Sequence, residues 1–316
     1  MEPTLAAGVE FEAPTGVAPR PHEPMSQPNM SSAPVHADNA AQAEYWGGAG
    51  GQRWIDHQEH QDQVLRPVSD RLMAVAGVKP GERVIDVGCG CGATTIDCAS
   101  RVRPGGEVLG LDISEPMLAR GRERASHDLP VRFVHADATV HEFPPDWADL
   151  IVSRFGVMFF ADPARSFANL NKGLKRGGRL ALACWREARQ NPFFILPLRE
   201  ARKHAPPLPE MDPEAPGPFA FADEARVRRI LSEAGYADIV LTPQDLELDI
   251  AAGRGLDTAL AAALAIGPTS RMLSGQSEAV RAAVASDIRA ALSAHVRGGS
   301  VPLGGAIWMV TATNPL

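Results

Sequence analysis

No stretch of this 316-residue chain approaches the roughly 18 consecutive apolar residues of a membrane span. Its longest apolar run, around residues 259–266, is short and alanine-rich, so no span is expected. Basic charge is also scarce: 31 Lys and Arg stand against 38 Asp and Glu, a net charge of −7. A protein that tracks phosphates needs a basic stripe, and these arginines are scattered among acids, which argues against a nucleic-acid partner. Glu2 precedes the first basic residue, Arg20, so the N-terminus lacks the charge pattern of a secretory or transit leader. Cysteine is sparse. Cys89, Cys91 and Cys98 crowd into ten residues and Cys184 stands alone, a spacing suited neither to disulfides nor to zinc pairs. Reduced thiols in a cytoplasmic protein are expected. His57 and His60 lie three apart without a convergent third ligand, so no metal is expected.

What remains is ordinary globular composition, 45% hydrophobic and 22% charged, with ample length for a sizeable core. Residues 1–40 hold seven prolines and little apolar surface to offset the entropy of ordering, so they read as a disordered tail. Between residues 52 and 76, Ile55, Val64, Leu65, Val68, Leu72 and Met73 recur at helical steps. Pro67 should divide this helical layer, and Gly77 suits a C-cap.

Thereafter strands and helices alternate. VIDV, EVLGLDI, VRFVHADA, DLIVSRF and RLALACW read as five strands, separated by helices over 94–102, 114–124 and from Pro163, the last ended by Gly177-Gly178. That order calls for an α/β fold with a parallel sheet and right-handed crossovers. Residues 186–222 form a proline-rich excursion. A helix over 223–234, a sixth strand over 237–250, two helices within 253–300 and a last strand AIWMVTAT complete the chain. The second of those two helices carries Val280, Val284, Ile288, Leu292 and Val296 as a core-facing stripe.

The chemistry concentrates in VIDVGCGCGATT, residues 84–95. Asp86 ends a strand, Gly88, Gly90 and Gly92 follow at alternate positions, and a helix begins. Glycines allow a sharp bend without a Cβ to obstruct a ligand, and the helix N-terminus offers N–H donors. Gly88, Gly90 and Ala93 also satisfy a dinucleotide fingerprint, with Asp112 at the spacing required for ribose hydroxyls, so the glycines alone leave both readings open. Asp86 would repel a pyrophosphate yet attract an ammonium. Asp137-Ala138 ends the third strand, where an adenine amino group needs an acceptor.

Taken in order, VIDVGCGCG, LGLDIS, HADA and LKRGGRLAL resemble the class I S-adenosylmethionine-dependent methyltransferases, and within them the ubiquinone/menaquinone C-methylase-like (type 11) small-molecule enzymes. The resemblance covers residues 41–185 well and the last third more loosely. It implies a Rossmann-like, doubly wound seven-stranded sheet, mostly parallel with an antiparallel last strand, carrying helical lid insertions. The implied division is a methyltransferase domain over 41–316: a helical flap at 41–78, a cofactor-binding core at 79–185, and acceptor-side lids at 186–222 and 253–300.

Roles follow by position from the resemblance. Asp86 pairs with the cofactor's amino group, often through water. Gly88, Gly90 and Gly92 pass close to its methionine and ribose. Asp112 accepts the ribose hydroxyls, Ile113 and Met117 flank the adenine, and Asp137 with the Ala138 amide reads the adenine edge. Arg154 stands between cofactor and acceptor. YWGGAGGQRW resembles an entry flap in which Tyr45, Trp46 and Trp54 close over the cationic sulfonium. The same aromatics also suit a purely structural role, pinning the N-terminal helix to the core.

The implied reaction is an in-line displacement needing proximity and exclusion of water, and a base only if the acceptor must lose a proton. His57, His60, His135 and His204 are the candidates, and the sequence singles out none. Ser153-Arg154-Phe155-Gly156 lacks the Asn/Asp-Pro-Pro-Tyr turn of nucleobase amine methylation, and Cys184 lacks the preceding proline of a cytosine C5 enzyme. Phe155, Met158, Phe159, Phe160, Phe193 and Phe194 instead suggest an apolar pocket for a small, hydrophobic or aromatic acceptor. The competing readings are a non-catalytic cofactor-binding regulator and an NAD(P)-dependent oxidoreductase. The paired cysteines in the glycine loop suggest sensitivity to oxidation.

Overall fold

A computed structural model describes residues 35–207, 212–265 and 267–316. Most of the expected disordered tail, residues 1–34, lies outside the described residues. Its last six residues are structured: His36 caps a single 3-10 turn, Ala37–Asn39, and a helix begins at Ala40.

Four short helices open the described chain: α1 (Ala40–Gly47), α2 (Ala49–Asp56), α3 (Gln58–Val64) and α4 (Arg66–Ala76). Proline at the start of α4 lacks the N–H that would continue α3, so Pro67 divides the layer as expected. A further break falls at His57. Gly77 closes α4 in the left-handed region at φ 55°, a conformation that costs glycine nothing. Val68, Leu72, Met73 and Ala76 are buried, so this amphipathic face forms one wall of the core.

The alternating part follows as β1 (Arg83–Val87), α5 (Ala93–Arg101), β2 (Glu107–Asp112), α6 (Glu115–Arg124), β3 (Val131–His135), β4 (Ala148–Arg154), α7 (Pro163–Gly173) and β5 (Leu174–Trp185). Ser114 caps α6 by accepting from the Met117 N–H, and Asp162 caps α7 by accepting from the Arg165 N–H. Then come α8 (Pro192–Ala201), α9 (Glu224–Glu233), β6 (Ala237–Asp249), α10 (Leu256–Ala265), α11 (Gly267–Leu273), α12 (Glu278–Ser293) and β7 (Pro302–Thr313).

Seven described strands form one sheet, ordered β3-β2-β1-β4-β5-β7-β6, with β7 antiparallel to both neighbours. Strand order reverses between β1 and β4, leaving a crevice at their carboxyl ends where such sheets bind ligands. The apolar-on-both-faces character of VIDV has its explanation here: Val84, Ile85 and Val87 are buried at the centre of the sheet.

Several boundaries differ from the sequence reading. Helix α7 ends at Gly173, and Gly177-Gly178 lies inside β5, beside a register shift against β4. Paired N–H···O bonds to Asn314 hold these glycines in the sheet, so they do not cap the helix. Residues 253–300 contain three described helices, not two. In the α12 stripe Val284, Ile288 and Leu292 are buried, whereas Val296 lies past the helix end and is exposed. These residues belong to a second core, in which Leu198 and Ala201 of α8 meet Ala259, Ala263, Met272 and Leu273.

Candidate active site

A cavity of about 490 Å³ opens along the carboxyl ends of β1, β2 and β4. Its glycine-loop wall is built by backbone geometry. Gly88, Gly90 and Gly92 all have φ between 55° and 80°, yet their reasons for being glycine differ. A Cβ on Gly88 would lie 2.6 Å from the Gly156 Cα, so this glycine permits the β1 and β4 tips to touch. A Cβ on Gly92 would strike the Phe133 ring. A Cβ on Gly90 would meet only the flexible Met117 methyl, and both residues line the cavity.

Asp112 ties the wall together. Its carboxylate accepts from the Gly90 N–H at 2.7 Å and from the Ser114 N–H at 2.9 Å. Burial raises its pKa, and those backbone donors counteract the rise. Asp86 lies beneath the loop and does not line the cavity: it is fully buried, and its Oδ2 accepts from the Thr94 and Thr95 hydroxyls at 2.6 and 2.7 Å. Burial pushes its carboxyl up to about 6, although both hydroxyls and nearby Arg154 favour the charged form. Its Oδ1 has no partner, which leaves an acceptor for a cationic group or a bridging water.

Asp137 and Ala138 reach the cavity, but the Asp137 carboxylate is heavily engaged by the protein itself. Its oxygens accept from the His36 N–H, from Asn39 Nδ2 at 2.9 Å each and from the Thr139 N–H at 2.8 Å. Asn39 is buried and also accepts from the Ala161 N–H, so it locks the end of the presumed tail against the β3 tip. The tail's composition carried no signal for this; only the fold brings residues 98 positions apart together.

Arg154 also lines the cavity, donating to the Ser69 hydroxyl at 2.8 Å and lying 3.5 Å from Asp62. Burial lowers its pKa, and Asp62 and Asp86 oppose that effect. Ile113, Met117, Tyr45, Trp46 and Trp54 complete this side. The Trp46 ring meets Tyr45 and Phe159 edge to face, each at 5.1 Å, and its carbonyl accepts from Ser114 Oγ at 2.7 Å. Every sequence-selected cofactor residue therefore borders the cavity except Asp86 and Gly92, which support the loop from behind.

The opposite wall is aromatic. Phe155, Met158, Phe159, Phe160, Phe193 and Phe194 all line it, joined by Trp185, which the sequence reading passed over. Trp185 ends β5 at a sheet tip, the position that could have revealed it. Phe155 adopts φ 69°, uncommon for a bulky residue, and its ring stacks on Trp185 at 4.3 Å with planes 5° apart. None of the four candidate base histidines lines this cavity. His135 Nε2 lies 3.0 Å from the Ile113 carbonyl, and His204 pairs with Asp287 near the surface.

The cysteine expectation reverses. Cys89 and Cys91 border the cavity but are buried; burial pushes the Cys91 thiol up to about 12 and Cys89 well above its ordinary range. Oxidation proceeds through the thiolate, so these side chains are protected.

Comparison with known proteins bears directly on this geometry. Residues 84–178 match a methyltransferase domain family. Nocamycin O-methyltransferase of Saccharothrix syringae is 30% identical over 276 residues, covering 80% of this chain and 90% of that one. The chain belongs to the S-adenosylmethionine-dependent methyltransferases. Demethylmenaquinone methyltransferase of Staphylococcus aureus is 29% identical over 178 residues, covering 54% of this chain and 73% of its own. Among solved structures, the YcgJ protein of Bacillus subtilis aligns over 78% of this chain and 98% of its own, with 17% identity and TM-score 0.51. The [4+2]-cyclase SpnF aligns over 90% and 100%, with 16% identity and TM-score 0.50. These two likenesses concern the fold alone. The methyltransferase assignment removes the nicotinamide alternative. Among the described residues no helix of this methyltransferase is long and apolar enough to cross a membrane.

The residues present fit S-adenosylmethionine. The unpartnered Asp86 Oδ1 and the Asp112 carboxylate at the cavity edge offer negative charge to a cationic nucleoside, and the Gly90 bend keeps side chains out of its path.

Proposed function

We propose that this methyltransferase acts on a small, largely apolar or aromatic acceptor held between the glycine-loop wall and the aromatic wall. The observation that carries this reading is the continuity of the two: one cavity is bordered by Gly88, Gly90 and Asp112 on one side and by Phe155, Trp185, Phe193 and Phe194 on the other. The relatives named for nocamycin and demethylmenaquinone support an acceptor of small-molecule size.

When bound, S-adenosylmethionine supplies an already activated, positively charged methyl donor. In this reading Asp112 holds the ribose, Gly88 and Gly90 leave room for the methionine portion, and Gly92 supports the bend through its contact with Phe133. Ile113, Met117, Asp137 and the Ala138 amide border the adenine. Asp137 acts there through the strap it anchors as much as through direct contact, since Asn39, His36 and Thr139 already occupy its oxygens. Asp86 attracts the amino group, and Arg154 favours the carboxylate end. Tyr45, Trp46 and Trp54, from the flap at 41–78, cover this side and present aromatic faces to positive charge.

The segments 186–222 and 253–300 act as lids on the acceptor side. Pro216, Gly217, Pro218 and Pro268 close the cavity above Phe193 and Phe194, excluding water and orienting the acceptor. Among the described residues no histidine borders the cavity, so in this reading the acceptor brings a nucleophile that needs little help from a histidine base.

The test is S-adenosylhomocysteine release measured over a panel of phenolic, enolic and aliphatic alcohol acceptors at saturating S-adenosylmethionine. Turnover confined to the phenolic and enolic members is expected. Preference for aliphatic or charged acceptors would overturn the reading.

A further inference from the structure

Helix α3 carries two buried polar residues, Gln61 and His60, beside Phe193 and Phe194. Gln61 is 5% exposed and lines the main cavity. Its main-chain N–H bonds to the His57 carbonyl at 2.9 Å, but its side-chain amide has no hydrogen-bond partner among the described residues. That amide is not enclosed by protein, so it presents two donors and an acceptor to the cavity. Beside it lies a smaller cavity of about 30 Å³, lined by His60, Gln61, Val64, Phe193, Phe194 and Pro268 among others. None of the glycine-loop residues, nor Asp112 or Asp137, borders this smaller space. Gln61 therefore belongs to the aromatic side of the cleft.

His60 adds a second polar atom. It is 9% exposed, and its Nδ1 faces Arg254 Nη2 at 2.5 Å. A guanidinium only donates, so Nδ1 accepts and the ring proton resides on Nε2. Nε2 is buried without a partner. Burial, Arg254 and His57 lower the His60 pKa, partly offset by the Ile250 carbonyl and Asp249, which keeps the ring neutral. His60 is then a hydrogen-bond donor and not a base.

We propose that Gln61 determines acceptor specificity: its amide receives an oxygen function on an otherwise aromatic acceptor. This rests on the reading of the cleft as the acceptor site, and it narrows the substrate class. The amide N–H donors suit an oxygen with lone pairs, such as a hydroxyl or carbonyl.

The experiment uses 1-naphthol and naphthalene as matched probes, differing by one hydroxyl, titrated into the full-length protein with saturating S-adenosylhomocysteine and followed by tryptophan fluorescence. In Gln61→Leu the ratio of the two dissociation constants should shift by about tenfold against 1-naphthol, with S-adenosylhomocysteine affinity unchanged. Gln61→Met provides the same comparison should the leucine variant fail to fold. A ratio unchanged within twofold overturns the proposal. So does a tenfold loss of S-adenosylhomocysteine affinity, which would move Gln61 to the cofactor side. Failure of both probes to bind the wild-type protein, while S-adenosylhomocysteine still binds, would defeat the aromatic acceptor reading itself.

Discussion

The two walls of the cleft are made by different means. The glycine-loop wall comes from one continuous stretch, residues 84–138, and is held by backbone geometry and carboxylates, as in the 2.7 Å bond from Gly90 to Asp112. The aromatic wall collects residues from the segment after β4, the end of β5, α8 and the segments around 217 and 268, and part of it leans on a separate core. A hydrogen-bonded wall tolerates little change, because an unmet buried carboxylate or N–H is expensive. An apolar wall accepts many shapes at similar volume. The methyltransferase domain match spans 84–178, ending before Trp185 and the lids. The family match thus covers the glycine-loop wall and leaves Trp185, Phe193 and Phe194 of the aromatic wall outside it.

The comparison breaks most sharply at Asp112. Asp112→Ala removes the acceptor of two backbone N–H groups together with the expected ribose contact. S-adenosylhomocysteine affinity measured by calorimetry should fall at least tenfold, on the order of 100-fold if both effects act, with the fold intact. Unchanged affinity would remove the ribose assignment. On the other wall, Trp185→Leu takes away the partner on which Phe155 stacks. Acceptor kcat/KM should drop roughly 30-fold while cofactor affinity stays within about twofold. Equal losses for both ligands would mean that the walls are not separable.

Asn39→Ala tests whether the strap belongs to the cofactor side. The Asp137 carboxylate would lose one of its two donor residues outside Thr139's own turn, and the cofactor should dissociate about three- to tenfold faster in stopped flow. A rate equal to wild type would make the strap purely structural.

Asp86 offers a smaller, pH-resolved effect. Its carboxyl rises from 3.8 to about 6 on burial, so the folded protein holds this proton more tightly than the unfolded chain does. Stability therefore declines as pH rises through the window between about 4 and 6, and the cost, at most roughly 3 kcal/mol, persists above it. Asp86→Asn should raise the melting temperature of the ligand-free protein by a few degrees at pH 7.5. It should have little effect below pH 4, and it should weaken cofactor binding. No stabilisation at pH 7.5 would mean that Asp86 is better solvated than its burial indicates. The smallest effect is expected at the cysteines. Native protein should react with a thiol reagent far more slowly than denatured protein, which exposes all four. Rapid labelling at Cys89 or Cys91 would restore the oxidation-sensitive loop.

The glycine-loop wall was legible because its determinants are local. A strand, a bend and a helix within twelve residues leave a spacing that survives in the linear order; Asp112 ends the next strand and Asp137 lies two residues past the one after. Boundaries failed where long-range pairing overrode a local signal: Gly177-Gly178 looked like a helix stop, but Asn314 draws it into the sheet. The depth of Asp86 beneath the loop was not legible, because burial depends on what packs above it.

By itself the sequence determined the alternating fold, the glycine bend and the acidic strand tips, since short-range periodicity and backbone sterics suffice for these. Only the tertiary structure decided that Asn39 clasps Asp137, that Trp185 joins the aromatic wall, and that Gln61 and His60 lie beside Phe193 and Phe194. Each of those depends on contacts between distant parts of the chain, whose cost in loop entropy is met by packing that no local pattern encodes.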